Sequence, residues 1–310
     1  MGVKDTLRKI PGCLKNTFKA WDSRMPFASS AVISYYTIFS LPGLLVVIIN
    51  VAGYFLGREA VTNQLTRELG GLIGQEAAQY IQNIVAMASK TKDTWIASVL
   101  GIATLLFGAT GVFVNVQQIF NNIWEIKPKP KGKFLKLIRD RLFSFGLILV
   151  MGFMLLVSLL LSTLLNVLSS WVAGHLSESF LVIFKILDFA FSITIITFLF
   201  AAMFKYLPDI KISWKAVIPG ALLTSVLFVI AKFALGLYFG TSNPGTTYGA
   251  AGSVILIMLW VSYSGIILLF GAEFTREWSK CSGVRVKPTE VAVKTDAAHT
   301  TGLGKKELNK

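Results

Sequence analysis

The chain has 310 residues, of which 54% are hydrophobic and only 15% charged, and its mean hydropathy is +0.65. Soluble domains carry about 25% charged residues, so this composition excludes an ordinary soluble globule and assigns the chain to a bilayer. The excess of 30 Lys and Arg over 16 Asp and Glu invites a nucleic-acid reading, but no basic stretch is interleaved with the aromatics that stacking on bases requires, so no nucleic-acid partner is expected.

Six apolar runs, 28–56, 96–120, 142–168, 180–204, 217–239 and 250–274, each reach the roughly 20 residues with which a helix crosses about 30 Å of hydrocarbon. The expected fold is all-α and polytopic, with six transmembrane helices in a domain at 28–278. Lys and Arg crowd before the first run, at Lys127 to Arg141, at Lys205, Lys211 and Lys215, and after the sixth run, whereas the segments joining runs three to four and five to six have none. By the positive-inside rule both termini are cytoplasmic. No cleavable signal is expected, because the first run follows 27 mostly polar residues and is far too long for a signal-peptide core.

In the cytoplasmic segment 1–27, Leu7, Ile10, Leu14, Phe18 and Trp21 recur at helical spacing, with Lys9, Lys15 and Lys19 displayed elsewhere and Pro11 interrupting the run. Such a basic amphipathic helix either lies on the anionic lipids of the inner leaflet or packs on the protein's own cytoplasmic face. The first span carries Tyr35, Tyr36 and, near its centre, Pro42, which removes a backbone hydrogen bond and predicts a kink. Residues 58–94 hold an apolar stripe, Ala77, Tyr80, Ile81, Ile84, Val85 and Ala88, predicting amphipathic helices in this first external loop. In the second span Gly101, Gly108 and Gly111 permit close helix contact. At its inner end Asn115, Gln118 and Asn122 share one helical face and either line a wet inner vestibule or snorkel to the headgroups. The third span is scaffold-like.

Asp188 lies about 12 Å and Lys232 about 10 Å in from the outer ends of spans four and five, at 1.5 Å per residue. A mid-helix charge costs about 2.5 to 3.5 kcal/mol on insertion scales, so the two are expected to pair, to line a polar cavity open to the outside, or to snorkel separately. Between spans five and six, residues 240–249 form an uncharged cap with Asn243 and Tyr248, whose backbone must find partners in water or in a protein-lined cavity. Pro219-Gly220 reads as a helix first turn, and Gly236 with Gly240 as a small-residue face. Glu273, with Arg276 one turn on, reads as an ion pair at the inner interface. The tail 279–310, rich in Thr, Ala, Gly and Lys, is expected to be disordered. Cys13 and Cys281 both fall on the reducing side, so neither a disulfide nor a thiolate metal site is expected.

Catalytic signatures are lacking. His175 and His299 fall on opposite sides of the membrane, and the chain has no metal-holding histidine cluster, phosphate loop or nucleophile elbow. No enzymatic activity, cofactor or metal is expected. Taken together, residues 31–42, Gly108-Ala-Thr-Gly-Val-Phe113, Gln117, Asn121, Ile123-Trp124, Tyr206-Leu-Pro208, Trp214-Lys215, Pro219-Gly220, Tyr248 to Ser253, Trp260, Tyr263 and Gly271-Ala-Glu273 resemble the YihY/BrkB family of bacterial inner-membrane proteins. The resemblance covers about residues 15–280. It implies a polytopic inner-membrane fold and, by suspicion within that family, transport that includes lipid export. The family's former ribonuclease label is regarded as misassigned, and the resemblance supplies no catalytic residues.

The expectation is thus a transporter-like protein that binds and moves a small or amphipathic solute, by preference a lipid. Its candidate lining residues are Tyr35, Tyr36, Pro42, Asp188, Lys232, Asn243, Tyr248 and Glu273. A non-transporting scaffold for envelope assembly or partner recruitment is the alternative, and a ribonuclease ranks third. Membrane lipids are the expected partners, and homo-oligomerisation stays open.

Overall fold

The computed structural model describes residues 3–40, 57, 59, 62–63, 111–128, 178–242, 252–290 and 292–295. Within these, α1 is Val3–Ser23, α2 is the helical stretch 26–40, α3 is 111–123, α4 is Glu178–Tyr206, α5 is Trp214–Ser242 and α6 is Gly252–Cys281. Four short strands complete the elements: β1 Ile126–Pro128, β2 Ile210–Lys211, β3 Lys287–Pro288 and β4 Ala292–Lys294. The third span, Pro42, Asn243 and Tyr248 lie outside the described residues, as do the Asp188 side chain and, apart from the helical residues 59, 62 and 63, the external helices expected in 58–94.

Among the described residues, three helices are long and apolar enough to cross a membrane by length and composition: Phe189–Tyr206 in α4, Trp214–Tyr238 in α5 and Val254–Cys281 in α6. The outward faces of α4 and α5 display Phe189, Phe198, Leu222, Ile230, Phe233 and Leu237, an apolarity suited to hydrocarbon rather than water. α5 begins earlier than Pro219 suggests. Its first turn closes on the Ser213 carbonyl through the amides of Ala216 and Val217, so Pro219 lies inside the helix.

Small residues set how closely the helices approach. A methyl at Gly220 would overlap Thr275 Oγ1, and one at Gly271 would overlap Thr224 Oγ1. Each threonine hydroxyl donates to the carbonyl of the glycine four residues before it, Thr224 to Gly220 at 2.7 Å and Thr275 to Gly271 at 2.8 Å. α5 and α6 therefore run antiparallel in a reciprocal Gly-x-x-x-Thr interlock, each hydroxyl satisfied within its own helix and seated on the other's glycine. Gly236, expected to provide a packing face, has open space around it. On another side of α6, Ser34 donates to the Met258 carbonyl at 2.8 Å, and Gly265 admits Ser30, which docks α2. Thr197 and Ser225 hydroxyls meet at 2.7 Å between α4 and α5. The buried core runs through Phe120, Phe204, Ala216, Val217, Ala221, Leu269 and Ala272.

α1 continues through Pro11 without a break. It runs antiparallel along the end of α6, with the Trp21 ring edge-on to Phe270 at 5.8 Å and Cys13 bonded to Cys281. This corrects the expectation of two separate thiols: laying α1 on α6 brings the two Cα atoms to 6.7 Å, within disulfide reach. Of the two readings of this amphipathic segment, packing on the protein's own surface is the arrangement seen. Lys15, Phe18 and Lys19 still face outward. The described part of 279–295 also departs from the disorder expected of it. α6 continues to Cys281, β4 pairs antiparallel with β1, and β3 pairs antiparallel with β2.

Candidate functional site

Two helix ends converge on the charged end of α6, and at each a non-glycine residue takes the left-handed conformation that closes a helix. Met25, at φ 52°, stands between α1 and α2, and Glu125, at φ 54°, between α3 and β1. Pro26 follows Met25 at the start of α2, where its missing N–H costs nothing. These turns bring Arg24 and Glu125 to the face of α6 that carries Glu273, Arg276, Glu277 and Lys280.

Glu273 is 1% exposed, and Arg24 Nε lies 2.5 Å from its Oε1, while Arg276 Nη1 lies 3.6 Å from its Oε2. Both are ion contacts without hydrogen-bond alignment, so neither carboxylate oxygen has a hydrogen-bond partner among the described residues. Arg24 also donates to the Asn122 carbonyl at 2.6 Å and to Glu125 Oε1 at 3.1 Å. Arg276 pairs with the same Glu125 oxygen and lies 3.4 Å from Glu277 Oε1, to which Lys280 donates at 2.6 Å. Three carboxylates and three cations thus close on themselves, which matches the charge of the buried members Glu273, Arg276 and Glu277. Burial pushes the Glu125 carboxyl toward its neutral form, but Arg276 and Arg24 together overcome this and hold its pKa below the usual carboxylate range.

Beside this network is a cavity of about 240 Å³ lined by Trp21, Arg24, Pro26, Ser29, Ile119, Asn122, Ile123, Leu269 and Glu273. Its lining mixes apolar side chains with charged and polar ones. Trp21 Nε1 is buried and, like the Glu273 oxygens, lacks a hydrogen-bond partner among the described residues. The indole N–H is thus a buried donor without a partner among the described residues, whereas the Glu273 oxygens are met by the ion contacts with Arg24 and Arg276.

A separate clamp fixes α3. Asn121 Nδ2 donates to Asp209 Oδ2 at 3.0 Å and its Oδ1 accepts from the Asp209 amide at 2.8 Å, while the Asp209 carbonyl accepts from Thr289 N at 2.9 Å.

The sequence candidates divide accordingly. Glu273 lines the cavity, and so does Asn122. Asn115 instead returns its amide to the Gly111 carbonyl of its own helix at 2.8 Å, and Gln118 is exposed. The Tyr36 ring covers Gly111, Tyr35 is 54% exposed, and Lys232 is exposed on α5. Trp21, Arg24 and Glu125 are missing from the sequence-based site. Their signal, a charge at each of two helix ends, is indistinguishable in sequence from the charges that set topology.

Membrane-length apolar helices joined by small-residue contacts define a helical integral membrane protein. The chain belongs to the family described as Virulence factor BrkB, whose model matches residues 17–295. It is 27% identical over 281 residues to a UPF0761 membrane protein of Teredinibacter turnerae, covering 87% of this chain and 61% of the relative. Against the ribonuclease-like protein YfkH of Bacillus subtilis it is 25% identical over 268 residues, covering 84% of this chain and 92% of the relative. A UPF0761 membrane protein of Pseudoalteromonas translucida is 25% identical over 278 residues, covering 88% of each. The chain thus spans about three fifths of the Teredinibacter relative. No solved structure matches it significantly.

Proposed function

We propose that this protein binds and moves an amphipathic solute of lipid type across the bacterial inner membrane, with both termini cytoplasmic. The observation that carries the reading is the cavity beside Glu273, lined by the apolar Ile119, Ile123 and Leu269 together with the charged Arg24 and Glu273, with the buried Trp21 indole N–H unpartnered among the described residues. Binding pockets for drug-sized ligands usually run from about 300 to 1,000 Å³. At about 240 Å³ this one accommodates a headgroup, leaving acyl chains among the helices. Arg24 already divides its donors among Glu273, Glu125 and the Asn122 carbonyl. An entering headgroup exchanges partners with it rather than leaving a buried charge unpaired, and that keeps the barrier low.

The test is reconstitution into liposomes bearing a fluorescent phospholipid, with an impermeant reductant added outside. Wild-type protein is expected to expose inner-leaflet probe to bleaching, and Glu273→Gln to slow the exchange about tenfold, as loss of one charged contact predicts. Equal bleaching of protein-free and protein-bearing vesicles overturns movement. Equal rates for wild type and Glu273→Gln overturn the cavity as its route.

A further inference from the structure

Beyond the Glu125–Arg276 pair, on the side away from Glu273, lies a second and larger cleft of about 440 Å³. Its walls are the two ribbons, β1 with β4 and β2 with β3. Three backbone hydrogen bonds fix them: Thr295 N to the Glu125 carbonyl at 2.7 Å, Thr289 N to the Asp209 carbonyl at 2.9 Å and Val284 N to the Ser279 carbonyl at 2.9 Å. The backbone after α6 is therefore held in a defined place, with the exposed side chains of Arg285, Lys287 and Lys294 at the rim of the cleft.

Five cations line this cleft, Arg276, Lys280, Arg285, Lys287 and Lys294, against a single carboxylate, Glu125, and the apolar residues Ile126, Ile210, Val284 and Val286 lie among them. Arg276 and Lys280 are already matched by Glu125 and Glu277. Arg285, Lys287 and Lys294 have no carboxylate within ion-pair distance among the described residues. Three like charges held around one concavity by hydrogen-bonded backbone repel each other, and an anion placed between them relieves that repulsion. Cations that gather at this end of α6 also lie where a membrane's anionic headgroups would meet them.

We propose that this cleft is a binding site for a phosphate-bearing anion, held by Arg285, Lys287 and Lys294. Arginine supplies a planar fork for two phosphate oxygens, and the lysines supply point charges. The site is independent of the transport reading, sharing with the cavity only the ion network between them. A phospholipid headgroup and a free phosphate present the same chemistry, and the experiment separates them.

Full-length protein in neutral detergent is titrated with phosphatidylglycerol, phosphatidylcholine and inorganic phosphate, with bound lipid counted by native mass spectrometry and phosphate followed by its upward shift of the melting temperature. Phosphatidylglycerol retention by wild type is expected to exceed that of Arg285→Gln/Lys287→Gln/Lys294→Gln by roughly 100-fold, each cation near an anionic surface contributing about fivefold. Phosphatidylcholine retention is expected to be equal for the two. A response to inorganic phosphate alone, lost in the triple variant, assigns the site to a soluble phosphate. Should the triple variant fail to fold, each single variant is expected to lose about fivefold. Lys15→Gln/Lys19→Gln, on the outward face of α1, serves as the control. Equal binding of both anions by wild type and triple variant, or an equal loss in the control, overturns the proposal.

Discussion

Two faces of α6, separated by only a few residues, are held by opposite kinds of contact. Gly271 and Thr275 lie four apart on one face and meet Gly220 and Thr224 of α5 with no charge involved. Glu273, Arg276, Glu277 and Lys280 lie on another and meet Arg24 and Glu125 almost entirely through charge. At 3.6 residues per turn the two sets cannot share a face. The first contact depends on shape: it tolerates lipid or water alike, because every hydroxyl is satisfied within its own helix. The second depends on balance, since removing one member leaves another charge buried and unmatched. The interlock builds the bundle, and the network tunes one end of it.

The sharpest way to break the comparison is Arg24→Ala. It takes the close cation from a carboxylate 1% exposed, and breaking a buried pair costs about 3 to 5 kcal/mol. Thermal unfolding in detergent is expected to register that loss, and a variant within 1 kcal/mol of wild type would mean that Arg276 alone suffices. Next in size is Gly271→Ala, which forces a methyl into Thr224 Oγ1 and to 3.0 Å from Phe204 Cζ. Overpacking costs about 1 to 3 kcal/mol. Adding Thr224→Ala is expected to recover part of it, and strict additivity of the two changes would show that they do not touch.

The smallest effect sharpens the electrostatic side. Glu125 has a folded pKa below the ordinary carboxylate range because Arg276 and Arg24 outweigh its burial. Its contribution is therefore fully present above the unfolded carboxylate pKa and is lost as the pH falls through the lower folded value. With the side chain 45% exposed, solvent limits that contribution to about 1 kcal/mol or less. The stability difference between wild type and Glu125→Gln is expected to be present at neutral pH and to vanish in acid. A difference that persists at low pH would assign Glu125 a role other than charge.

Much of α4 to α6 could be read from the sequence, because apolar runs of this length have few alternatives. α5 starts before its proline because the first turn finds the Ser213 carbonyl, a local bond that composition does not reveal. At the site, Glu273 and Arg276 were visible as a pair one turn apart. Arg24 and Glu125 were not, since they meet across 101 positions of chain and look alone like topology markers. The ribbons were hidden for the same reason: strands of two or three residues give no periodicity, and their pairing depends on Asp209 and Glu125 backbone atoms far away in sequence. Small-residue packing was anticipated at Gly111, which meets the Tyr36 ring, and misplaced at Gly236, which meets nothing, because which glycine meets a neighbour depends on helix register.

The bond between Cys13 and Cys281 spans 268 positions. With it in place, the chain from Cys13 to Cys281 becomes one covalent ring. A single nick in any connecting loop opens that ring without releasing a fragment, and the helices on either side of the cut stay tethered to one another.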